Sequence, residues 1–127
     1  GGLVAITAEP LMPSPLAAIL IGAVGGVIVV YGTKLLFSLK IDDVVGAIPA
    51  HLFAGIWGTL AVPITNPDAS FGTQLIGIVS INIFIFVSAL IIWSIMKATV
   101  GIRLSKEGET KGTDVTETGV IAYAIRD

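Results

Sequence analysis

The sequence predicts an all-α integral membrane protein: three transmembrane helices, the end of a preceding one, and a polar tail. Two observations carry that reading. Of the 127 residues, 54% are hydrophobic and 13% charged, where a soluble domain carries about 25% charged residues. The charge is also segregated: ten of the sixteen charged residues fall in 97–127, leaving Glu9, Lys34, Lys40, Asp42, Asp43 and Asp68 for everything before. Composition excludes several functions at once. No cysteine is present, so thiolate metal sites and cysteine nucleophiles are out. A single histidine removes most metal-site options and none is expected, and a net charge of −2 offers no broad basic surface for nucleic acid.

Each span is justified by length, since crossing a hydrocarbon core of about 30 Å takes about 20 apolar residues. Positions 1–8, GGLVAITA, are apolar and begin abruptly without Met or a charged leader, as the last turns of an earlier span of a truncated chain would; EPLMP at 9–13 ends them. The first full span covers 14–37, opened by Pro13 and Pro15, with Lys34 close enough to its end to snorkel. The second, 44–65, contains Pro49 and Pro63 and is rich in glycine, a composition suited to packing against other helices. The third, 71–96, is the most hydrophobic, with Trp93 near one end and Asn82 in the middle needing a partner. Three such runs joined by short linkers leave too few polar residues to cover them in water.

Orientation follows from the positive charges. Lys34 and Lys40 flank the first loop, and Lys97, Arg103, Lys106, Lys111 and Arg126 follow the third span. Neither 9–13 nor 66–70 holds Lys or Arg. The positive-inside rule therefore expects a multi-pass membrane protein with the 38–43 loop and the tail, 101–127, cytoplasmic.

His51 is the sharpest candidate for chemistry. It lies about 10 Å of rise into the second span, and an ionisable group at that depth usually faces a bundle interior or an aqueous path. A packed histidine bonded to a neighbouring helix is the alternative. At helical spacing Ala47, Gly55, Gly58, Thr59 and Val62 share its face. Gly55, Gly58 and Thr59 there either pack against another helix or line a narrow lumen. Gly22-x-x-x-Gly26 reads as packing, Pro49 as a source of a kink, and Asp42-Asp43 as a helix-start cap. Asn82, Ser80, Ser88 and Ser94 read as interhelical glue. No phosphate-binding loop, nucleophile elbow, HExxH or paired intramembrane carboxylate is present, so no catalytic residue and no cofactor is expected, and the protein is not expected to be an enzyme.

The stretches GLVAITA at 2–8, SPLAAILIGAVGG at 14–26, KIDDVVGAIPAHLFAGIWGTLAV at 40–62, GIRLS at 101–105 and GTDVTETGVIAYA at 112–124 resemble the C-terminal third of the ammonium transporter family, called Amt or Mep and related to the Rhesus glycoproteins. The resemblance covers nearly the whole chain. It implies the end of an eighth span, then the ninth to eleventh spans of an 11-span bundle, in a homotrimer whose subunits each conduct ammonium or ammonia through a hydrophobic pore. His51 matches the tenth-span pore histidine and Ala47 a pore-wall position. The partner histidine, the outer aromatic site and the phenylalanine gate belong to the remaining spans.

In the tail, Gly101, Arg103, Gly112, Asp114, Gly119 and Tyr123 match a regulatory segment that couples subunits and responds to a PII-type signal protein. The chain differs from many relatives at Leu52 (Gly there) and Gly46 (Asp there). In the tail, Thr113, Thr118 and Val120 stand for Leu, His and Glu. Two other readings stay open from the residues: an ammonium sensor signalling through its tail, and a three-span scaffold or assembly subunit.

Overall fold

The computed structural model describes residues 1–122, and these are helical with no strand among them. In order they form α1 (Gly2–Ile6), α2 (Pro15–Ser38), a π-helical segment (Ile48–Phe53) that runs directly into α3 (Ala54–Thr65), α4 (Phe71–Thr99), α5 (Lys106–Lys111) and a second π-helical segment (Asp114–Thr118). Three stretches are long and apolar enough to cross a membrane: Pro15–Ser38, Ile48–Thr65 and Phe71–Thr99. The three expected spans are therefore present, although the second starts at Ile48 rather than 44, because 44–46 form a turn. Tertiary contacts divide the chain into Gly1–Phe84 and Ile85–Asp127.

In the first unit, Ser14 caps α2 by accepting the Ala17 N–H, with Pro15 at the first helical position, where its missing N–H costs nothing. α2 ends in a Schellman arrangement: the Lys40 N–H donates to the Phe37 carbonyl and the Ile41 N–H to that of Leu36. Lys40 takes the left-handed position, at φ 56°, that glycine usually fills.

The centre of this unit is a three-way junction of α1, α2 and α3 built on small residues. Ala5 is 1% exposed and packs with Ile21 and Ala61. A Cβ at Gly25 would lie 2.7 Å from the Ala5 Cβ, and one at Gly58 would strike the Ala5 backbone. Backbones approach this closely only where side chains are absent, the usual way helices associate in lipid. Gly22 faces Gly2 across the same junction, whereas nothing lies against Gly26. The packing stripe on α2 therefore includes Ile21, Gly22, Gly25, Gly32 and Leu36, and of the expected Gly22/Gly26 pair only Gly22 packs. One polar contact crosses it: the Trp57 indole N–H donates to the Ile21 carbonyl at 3.0 Å.

α4 buries none of its residues. Asn82 finds its partner within the helix, donating to the Ile78 carbonyl at 2.8 Å, rather than across to another span.

In the second unit α4 closes at Gly101 (φ 81°), whose N–H donates to the Met96 carbonyl. Ser105 caps α5 by accepting the Gly108 N–H. The tail then folds back on itself: the Thr116 hydroxyl donates to the Gly108 carbonyl, and the Ala122 N–H donates to the Asp114 carboxylate at 2.8 Å.

Candidate substrate path

His51 is positioned from both ends of its helix. On the N-terminal side, Gly46 turns the chain at φ 68°, and Asp43 reaches forward so that its two oxygens accept the Ala47 and Ile48 N–H groups, each at 2.8 Å. Donors at a helix start have no intrahelical acceptor, and a carboxylate there also complements the helix dipole. Of the expected Asp42-Asp43 cap, Asp43 is the residue that serves.

Behind His51, Pro49 is fully buried and Gly32 of α2 makes room for it: a Cβ on Gly32 would lie 2.7 Å from Phe53 and 2.9 Å from Pro49. The proline's missing N–H and its bulk are met by a wider turn: Ile48–Phe53 is π-helical.

That turn changes which residues share the histidine's face. In an unbroken α-helix Gly58 would fall within about 20° of His51. A π turn advances fewer degrees per residue, so Gly58 rotates away and packs against Ala5. Gly55 and Thr59 stay with His51 and line an open groove of about 260 Å³, completed by Gln74, Ile78 and Asn82 of α4. Gly58 and Val62 are buried outside this groove, which corrects the single face expected from regular spacing. Ala47 is exposed one turn earlier and is not among the groove's lining residues.

His51 itself is exposed within the chain and has no hydrogen-bond partner among the described residues. A packed histidine bonded to a neighbouring helix of this chain is not what the structure contains.

A second cavity, of about 510 Å³, opens at the far end of α3 and the start of α4, lined by Glu9, Thr59, Asn66, Asp68, Thr73 and Gln74. The Asn66 side chain ties its walls together. Its amide donates to the Glu9 carboxylate at 2.9 Å, while its carbonyl accepts the Asp68 N–H. This bond brings the 9–13 and 66–70 connections, the two without Lys or Arg, to the same end of the unit. Gln74 was not singled out from sequence, although a carboxamide in an apolar run was the available signal. Trp57 was missed too, since an indole reads as apolar bulk until its acceptor is seen.

The tail residues have structural partners of their own. Arg103 donates from Nε to Glu109 at 2.6 Å. That hydrogen bond and the guanidinium charge hold the Glu109 carboxyl below the usual carboxylate range, and the same bond raises Arg103. Gly112 and Gly119 occupy positive φ, 99° and 69°, at the ends of the two short helices. Asp114 receives the Ala122 N–H. Tyr123 lies outside the described residues. No cluster of metal-ligating side chains occurs among the described residues.

The chain matches known proteins along its length. The profile of the Ammonium Transporter Family matches residues 1–123. A relative from Synechocystis is 40% identical over 121 residues, covering 94% of this chain and 27% of its own length. Ammonium transporter Amt2 of Archaeoglobus fulgidus is 35% identical, covering 96% of this chain and 30% of its own length. Ammonium transporter Amt1 of Haloferax mediterranei is 33% identical, covering 96% and 25%. No solved structure matches. The chain thus spans about a quarter to a third of the length of the curated relatives it matches. Membrane-length helices in the expected order, matched by one family profile over nearly all of their residues, make this chain a member of the ammonium transporter family.

Proposed function

We infer that the protein moves ammonium or ammonia across a membrane and that His51 lines the route. The observation that carries this is an imidazole set inside a membrane-length helix, facing an apolar groove, with no hydrogen-bond partner among the described residues. A neutral imidazole donates at one nitrogen and accepts at the other. Such a group can hydrogen-bond ammonia or take a proton from ammonium in a space that excludes water. Ala47 belongs to the same route one turn toward the Lys40 end.

The remaining spans complete the pore, and a homotrimer is the assembly proposed from the family. The charge pattern supports a cytoplasmic face at 38–43 and 101–127, and the family is the ground for placing the protein in the plasma (inner) membrane. In this reading the folded tail, with Gly101, Arg103, Gly112, Asp114, Gly119 and Tyr123, is a regulatory surface that a PII-type protein could engage.

The test is His51→Ala in the protein expressed from its native gene, reconstituted in liposomes. Ammonium-driven flux is expected to change by an order of magnitude or more, with assembly unaltered on a sizing column. Unchanged flux and selectivity would remove His51 from the route. Ammonium-dependent engagement of a partner with no flux at all would favour the sensor.

A further inference from the structure

Thr59 and Gln74 line both the acidic cavity at Glu9 and Asp68 and the groove at His51; they are the two side chains the cavities share. The chemistry they present at this joint is specific. The Thr59 hydroxyl spends its proton on the Gly55 carbonyl at 2.9 Å, leaving its oxygen lone pairs as acceptors. Gln74 is half-buried, and its carboxamide has no hydrogen-bond partner among the described residues. The joint therefore offers neutral acceptors that no donor among the described residues satisfies. On one side are two carboxylates, on the other an unpartnered imidazole.

Resting on the transport reading above, we propose that Thr59 and Gln74 form a selecting waist, recognising a small N–H donor, ammonium, before it reaches His51. Carboxylates at the mouth concentrate any cation. They do not distinguish ammonium from potassium, which has similar size and equal charge. Neutral acceptors do, because ammonium directs N–H bonds at them and potassium has none to direct. A site built to receive a hydrogen bond discriminates strongly against a species lacking the donor. Neutral groups also avoid trapping the cation, as a carboxylate at that depth would.

The experiment uses the protein expressed from its native gene, purified and reconstituted, with ammonium flux and equilibrium binding of radiolabelled methylammonium as separate readouts. Thr59→Val and Gln74→Leu are close in shape to the natural residues. Each is expected to raise the half-saturating ammonium concentration about tenfold, the value of one neutral hydrogen bond, and to weaken methylammonium binding alike. Gln74→Glu keeps an acceptor oxygen and is expected to retain binding, so the test survives if Gln74→Leu fails to assemble. Thr33→Val removes a hydroxyl making the same intrahelical bond, to the Val29 carbonyl, away from both cavities, and is expected to change neither readout. If the wild type conducts and Thr59→Val and Gln74→Leu match it in both readouts, the waist is overturned and transport stands. If the wild type binds without conducting, and these variants bind more weakly, transport falls and the waist stands. A wild type that neither binds nor conducts overturns both.

Discussion

Asp43 and Gly58 show how much of the site depends on groups that never meet a substrate. The two oxygens of Asp43 hold the first N–H groups of the helix that carries His51. Asp43→Ala leaves both donors without an acceptor, and a lost cap costs about 0.5–2 kcal/mol. Thermal unfolding in detergent is expected to show that loss, and Asp43→Asn to recover part of it, since an amide oxygen still accepts. Gly58→Ala places a methyl on the Ala5 backbone, in a junction with no flexible side chain to yield. Overpacking of this kind costs about 1–3 kcal/mol, so a lower melting point is expected, while Gly26→Ala, which meets nothing, should leave stability unchanged or slightly raised. Sequence alone put Gly22, Gly26, Gly55 and Gly58 on an equal footing as small residues. Only the position of α1 separates those that touch a neighbour from the one that does not.

At the scale of the element, the second span is where regular spacing misleads. Pro49 announces a disturbance in the sequence, but whether it produces a kink, a break or a wider turn depends on what α2 offers opposite it. Gly32 opens space for Pro49 and Phe53, the chain takes the π turn, and the residues beyond it rotate. Gly32→Val is expected to force that turn away from α2 and to disturb His51 and Thr59 together. Flux lost in parallel with a lowered melting point would show it, and loss of one without the other would contradict it. The end of α2 gives a prediction of opposite sign. Lys40 occupies a left-handed position at φ 56°, where a side chain costs about 1–2 kcal/mol and glycine does not, against about 0.5–1 kcal/mol of extra chain entropy lost by glycine on folding. Lys40→Gly is therefore expected to be neutral or stabilising by up to about 1.5 kcal/mol in the same assay.

At the scale of the molecule, the exposed Arg103–Glu109 pair gives the tail a pH dependence. Glu109 titrates below its ordinary value in the folded tail because Arg103 donates to it. Its contribution is thus fully present above the ordinary carboxylate range, near 4.3, and is lost as the pH falls through the lowered value. Protection of the tail amides, the exchange rate relative to the intrinsic rate at each pH, is expected to be flat from neutral to about pH 5 and to fall in stronger acid. Salt should weaken the effect, as exposed pairs are screened, and Glu109→Gln should abolish it. Membrane orientation is tested on the same scale. Ala69→Cys is expected to react with an impermeant thiol reagent added outside intact cells, and Glu107→Cys only after the membrane is opened. The reverse pattern would invert the assigned topology.

Length and hydropathy determined the three spans, since each is a local property of the chain and the bilayer sets the one threshold that matters. The candidacy of His51 was equally local, because an ionisable group inside an apolar run stands out without any coordinates, and Asp43 could be read from its place just before a helix. Which face His51 shares, that Thr59 and Gln74 meet at the joint of two cavities, and that Glu9 bonds Asn66 could not be read this way. Those relations join residues apart in the chain. The face of His51 follows from the π turn and from the packing of α1, α2 and α3 at glycine, while the other two depend on how the 9–13 and 66–70 connections and the start of α4 are placed.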